Sequence, residues 1–156
     1  MNAENSVLRE VTLTLPMAPD MEVMASKTAT AVAESVRMSP DKIDEVRLAV
    51  VEACINAFEH SRAANRVLFL SFAVLSGERS GDEPRTLEIR VRDEGIGFAP
   101  QGVELPRMAD KLKAERKRGW GLQIIQGLMD QVEIESGTGG TTVVMRKRIE
   151  REASDD

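Results

Sequence analysis

The chain has 156 residues, a formal net charge of −5, 42% hydrophobic residues and 30% charged residues. That length fits one domain that can bury roughly 68–70% of its unfolded surface. The acidic balance argues against a general nucleic-acid binder. With four Phe, one Trp and no Tyr, the core must rest on Val, Leu, Ile, Ala and Met.

The one cysteine, Cys54, excludes an internal disulfide and reads as a small core residue of an apolar helix. One histidine excludes a His-rich metal site. No run approaches the roughly 18 apolar residues of a membrane span. Residues 1–5 lack the basic flank and apolar core of a leader, so a cytoplasmic protein with no membrane contact is expected.

Residues 8–15 alternate apolar and polar, the pattern of a half-buried strand, and Pro16 ends it. A helix is expected over 19–38, with Met21, Met24, Ala25, Thr28, Val32 and Val36 at helical spacing. Ser39-Pro40-Asp41 is a helix start: a cap, a first-turn proline and an acid at the positive end of the dipole. The helix it opens should run to His60, followed by a turn over 61–65. Strands are expected at 67–75 and 86–93, joined by a polar hairpin loop over 76–84. An irregular stretch covers 98–118, a helix 120–129, and strands 131–136 and 141–148. Residues 150–156 form a polar tail. This order predicts an α+β two-layer sandwich, a mostly antiparallel mixed sheet with helices on one face.

The helix over 40–60 is apolar around most of its circumference. Val46, Val50, Ala53 and Ala57 mark one side, and Leu48, Val51, Ile55 and Phe58 most of the rest. A narrow polar stripe remains: Glu45, Glu52, Asn56 and Glu59. Such a stripe either faces solvent or lines a polar cavity. Glu52 and Asn56 stand one above the other, four residues apart. An acid and an amide so placed suit a hard cation such as Mg²⁺, and the acid also suits a base toward a hydroxyl.

Three glycine loops follow. Asp93-Glu94-Gly95-Ile96-Gly97 ends a strand, and reads as a plain turn or as a loop lying close to a ligand whose exocyclic amine Asp93 accepts. Lys117-Arg118-Gly119-Trp120-Gly121-Leu122 opens a helix, where exposed N–H groups and Arg118 favour phosphate. Gly137-Thr138-Gly139-Gly140-Thr141-Thr142 joins two strands as a hairpin turn or brings a threonine hydroxyl to a base. The basic runs 111–118 and 146–148 read as a solvated loop and a solvated strand end.

Taken in order, Glu52-x-x-x-Asn56-Ala57-x-x-His60, Asp93-x-Gly95-x-Gly97, Gly119-x-Gly121-Leu122 and Gly139-Gly140-Thr141 resemble the GHKL ATPase/kinase superfamily. Residues 118–125, 128–132 and 51–57 are similar to bacterial anti-sigma factor serine-protein kinases. The resemblance implies a Bergerat ATP-binding fold over 1–149 with ATP and Mg²⁺ as cofactors. It implies Asn56 as the Mg²⁺ ligand, Glu52 as the catalytic base, Asp93 as the reader of the adenine amine, and Gly95 and Gly97 as its supporting loop. Residues 99–118 resemble the ATP lid, with Arg118 meeting the terminal phosphate. Gly119, Trp120, Gly121 and Leu122 resemble the phosphate-contacting helix start, and Thr141 or Thr142 a contact near the base. Trp120 departs from the smaller aliphatic residue more usual there.

The activity implied is transfer of phosphate to a serine of an anti-anti-sigma (STAS) protein, in exchange for a bound sigma factor, by a homodimer. Two alternatives are a nucleotide-gated binding module without phosphotransfer and the catalytic domain of a split histidine kinase. His60 is expected to cap its helix or pack locally.

Overall fold

The computed structural model describes residues 6–61, 66–77, 83–94, 122–137 and 139–149. Strand β1 (Val7–Pro16) leads into helices α1 (Met21–Ser35) and α2 (Pro40–His60). Strands β2 (Val67–Ser76) and β3 (Pro84–Asp93) follow. A helix over 122–128, α3, then precedes β4 (Gln131–Gly137) and β5 (Gly140–Arg148). The expected stretch 98–118 and the tail 150–156 lie outside the described residues.

The five strands form one sheet in the order β1-β2-β3-β5-β4, and all four described pairings are antiparallel. Strand β5 is thus inserted between β3 and β4. Register places Leu15 and Asp93 beside Leu68, Leu13 and Val91 beside Leu70, and Val11 and Ile89 beside Phe72. Because side chains alternate along a strand, these stand on one face. That face packs under both long helices: Leu68, Leu70, Phe72, Leu87, Ile89 and Met145 share one core with Val32, Val46 and Val50. Ile125 and Met129 join the same core. The result is the two-layer sandwich the chain order predicts.

Helix α1 meets its neighbours through Ala25, Ala29 and Ala33, all fully buried, four residues apart. Met24, expected inward, is instead 48% exposed. Small side chains let α1 approach closely, and the bulkier methionine is turned out. In α2, Val46, Ala49, Val50, Ala53 and Cys54 form the buried face, whereas Leu48 is 48% exposed. Burial pushes the Cys54 thiol up to about 12, with Glu22 adding to the effect, so it is an inert core residue.

Helix α1 ends at Ser35, earlier than its apolar spacing suggests. Val36 and Met38 are buried, but as parts of a terminating loop. The Met38 N–H donates to Ala33 C=O at 3.2 Å and the Arg37 N–H to Glu34 C=O at 3.0 Å, the paired bonds of a Schellman motif. Such a motif needs a left-handed residue, usually glycine. Here Arg37 takes φ 61°, at a cost of roughly 1–2 kcal/mol for a residue with a Cβ. Arg37→Gly is therefore expected to stabilise the fold by about 0.5–1 kcal/mol. Thermal denaturation should show a melting temperature higher by about 1–4 °C, and a decrease would contradict this reading.

Helix α2 starts as its sequence indicates. Ser39 accepts the Lys42 N–H, and Pro40 takes the first turn. Its far end is held by Arg66, whose guanidinium donates to the Phe58 and Ser61 carbonyls at 2.9 and 3.1 Å. In the β4–β5 hairpin Gly140 takes φ 124°, a conformation that side chains rarely adopt.

The outer face of β3, β5 and β4 is a lattice of charge. Arg146 pairs with Glu88 at 2.8 Å and with Glu133, and Arg90 pairs with Glu88 at 3.3 Å. Arg146 beside it holds the Glu133 carboxyl below its ordinary value of 4.5, and Lys147 does the same for Glu45. Carboxyls lowered on folding add stability above that ordinary value and lose it as pH falls through the lower folded values. The melting temperature is thus expected to hold between about pH 6 and 8 and to fall below about pH 4. A melting curve unchanged into strong acid would contradict that assignment.

The run 146–148 is not a solvated strand end throughout. Arg148 is exposed, but Lys147 points into the layer between sheet and helices and is only 4% exposed.

Candidate functional site

A cleft opens between the C-terminal half of α2 and the sheet. Its described lining comes from four directions: Ala53, Asn56, Ala57, His60 and Ser61 from α2 and its end; Val91 and Asp93 from β3; Thr141 and Val143 from β5; Leu122 and Ile134 from α3 and β4. The first ten residues of α2, Pro40 to Ala49, do not line the cleft, and only the turns beyond reach it. Arg66 fixes the helix end that presents His60 and Ser61.

The polar floor is built by register. Asp93 is the last residue of β3 and pairs with Thr141 of β5, so both point toward the helices. The Thr141 N–H donates to Asp93 Oδ1 at 3.4 Å, and the Thr141 and Ser136 hydroxyls meet at 3.3 Å. Asp93 is 8% exposed, a carboxylate held at the bottom of a mostly aliphatic cleft. The walls are Val91, Val143, Leu122 and Ile134. Flat apolar walls over a buried acceptor suit an aromatic ring that carries an N–H donor.

Asn56, Asp93, Leu122 and Thr141 are therefore brought together. Glu52 lies one helical turn before Asn56 and is half-buried, and it is not part of the described lining. Thr142 alternates to the opposite face of β5, beside Arg92 of β3 and Glu135 of β4. Arg118, Gly95, Gly97, Gly119, Trp120 and Gly121 lie outside the described residues. His60 lines the cleft, with Nε2 3.9 Å from Glu59 Oε1, while Arg66 serves the helix-end carbonyls.

Several lining residues were not legible as such in the sequence. Ile134 and Val143 follow only once β5 is known to pair with β3, because that sets Val143 beside Val91 and carries its hairpin partner Ile134 to the same cleft. Ser61 reads as turn, and its role depends on Arg66 anchoring the helix end.

Among the described residues no three or more His, Cys, Asp or Glu side chains converge as a metal cage. Mg²⁺ needs no such cage where a nucleotide's phosphates and water supply most ligands. An amide oxygen at Asn56, lining the same cleft as the buried acid Asp93, fits that shared mode. Among the described residues no helix is long and apolar enough to cross a membrane.

Comparison with known proteins gives the family and the fold. Residues 15–147 match the family described as histidine kinase-like ATPase domain. A serine-protein kinase RsbW of Bacillus licheniformis is 28% identical over 147 residues, 90% of this chain and 86% of the relative. An anti-sigma F factor of Geobacillus thermodenitrificans is 31% identical over 132 residues, 82% of this chain and 84% of the relative. The crystal structure of the RsbU and RsbW domains of a Mycobacterium tuberculosis protein superposes with a TM-score of 0.66 at 20% identity. That likeness concerns the fold; it covers 93% of this chain and 34% of the solved one.

Proposed function

Because the chain belongs to the histidine kinase-like ATPase domain family, we propose that it is an ATP-dependent serine-protein kinase acting as an anti-sigma factor. It holds a sigma factor and phosphorylates a serine of a STAS-domain anti-anti-sigma protein, whose binding releases the sigma factor. The observation that carries this reading is the convergence of Asn56, Asp93 and Thr141, from three separate elements, on one cleft with Glu52 a turn away. The names of the relatives support the choice of protein serine as acceptor and of sigma factor as partner.

In this reading Asp93 accepts the adenine amine, and the Thr141 N–H bonded to its Oδ1 keeps that carboxylate in place. Val91, Val143, Leu122 and Ile134 exclude water from the faces of the base. The described lining contains no Lys or Arg, so a triphosphate there requires added positive charge. Asn56 would hold Mg²⁺, whose positive charge would offset that of the phosphates. Arg118 and the backbone of Gly119 and Gly121 meet the terminal phosphate, and Gly95 and Gly97 carry the loop beside the nucleotide. Glu52 orients the incoming serine hydroxyl and takes its proton as the oxygen bonds to the γ-phosphorus and the bridging β–γ P–O bond breaks, with ADP as the leaving group. The protein acts in the cytoplasm, as a homodimer.

The test is a labelling assay. The chain, Mg²⁺ and γ-labelled ATP are incubated with each STAS protein of the same genome, and label is sought on serine. Label on one such partner is the expected result. Tight nucleotide binding with no label on any STAS protein would favour the nucleotide-gated binding module instead.

A further inference from the structure

Lys147 places its side-chain nitrogen in the protein interior. Its side chain is 5% exposed, and it has two partners from two different helices. Nζ lies 2.8 Å from Glu45 Oε1 on α2, and it donates to the Leu128 carbonyl at the end of α3. The last carbonyls of a helix lack partners within it and carry negative partial charge, so an ammonium group is well placed there. An ammonium group removed from water is tolerated only while such partners stay within reach. The geometry is therefore demanding of all three elements at once.

Those three elements also build the cleft, and Lys147 holds each at its remote end. On α2, residues 45 to 56 span roughly 16 Å to Asn56. On α3, residues 128 to 122 span roughly 9 Å to Leu122. On β5, residues 147 to 141 span roughly 20 Å to Thr141. The connection beyond α3 is tied to the same strand, with the Asp130 N–H donating to Arg146 C=O at 3.0 Å and Asp130 Oδ2 accepting the Arg148 N–H at 2.6 Å.

We infer that Lys147 is a positioning residue for nucleotide binding: its ammonium group fixes α2 and α3 against β5, and so sets the separation of Asn56, Leu122 and Thr141 across the cleft. This rests on the nucleotide reading above. Lys147 acts at a distance and touches no nucleotide.

The test uses the full chain, a fluorescent ATP analogue with Mg²⁺, and melting curves for every variant. Lys147→Met, which keeps length and loses charge, is expected to raise the dissociation constant about tenfold. Lys147→Arg should recover most of that loss. Val46→Ala, a buried truncation beside Glu45, lowers the melting temperature but should leave affinity within about twofold. Should Lys147→Met fail to fold, Glu45→Gln keeps the lysine and is expected to weaken binding about threefold. Wild-type affinity in Lys147→Met, or in Glu45→Gln where that variant stands in, would overturn the inference alone. An equal loss of affinity in Val46→Ala would also overturn it, by showing that any loss of stability suffices. No binding by the wild-type chain would overturn the nucleotide reading and this inference together.

Discussion

Glu52→Ala is expected to lower phosphate transfer to the STAS protein by about 10²–10⁴-fold, with nucleotide affinity within about threefold of wild type. The expectation follows from where Glu52 sits. It is half-buried, one turn before Asn56, and it is not among the residues lining the cleft where the base is proposed to lie. A carboxylate at that remove contributes little to holding adenine. In the proposed reading it meets the hydroxyl arriving at the terminal phosphate. Its loss should therefore appear in the chemical step and spare binding. Glu52→Gln, which keeps the hydrogen bond and loses the base, should fall between the two. A Glu52→Ala protein that labels its partner at the normal rate would remove Glu52 from the chemistry.

Asn56→Ala should act on the other side of that division, weakening Mg²⁺-dependent nucleotide binding by about 10–100-fold. Asn56 lines the cleft, and the described lining has no Lys or Arg to take over the phosphates' charge. In the proposed reading, removing its oxygen would leave Mg²⁺ with fewer protein contacts. Adding a chelator to the wild-type protein should mimic the variant, and the variant itself should respond little to chelation. Calorimetry that finds the same affinity in both proteins would assign the metal elsewhere.

Much of the layout could be read from residue order. The stripe of α2 drew attention to Glu52 and Asn56 because the positions flanking the stripe are mostly apolar, and strand alternation identified β1 and β3. What the sequence hid was of two kinds. Helix ends depend on backbone conformation: Val36 and Met38 continue the apolar spacing of α1, yet the chain turns at Arg37, a residue with no preference for the left-handed form. Sheet order depends on pairings far apart in the chain. Nothing local says that β5 lies between β3 and β4, and that insertion decides that Thr141, not Thr142, shares a face with Asp93. Lys147 was hidden for the same reason. Between Arg146 and Arg148 it reads as surface, while the parity of β5 turns it inward.

The most direct measurement is a crystal structure with Mg²⁺ and a non-hydrolysable ATP analogue. The purine should lie between Leu122, Ile134 and Val143, its amine on the Asp93 carboxylate, with the metal bridging the Asn56 amide oxygen and the phosphates. A nucleotide bound elsewhere, or this cleft closed by its own aliphatic side chains under saturating ligand, would contradict the account.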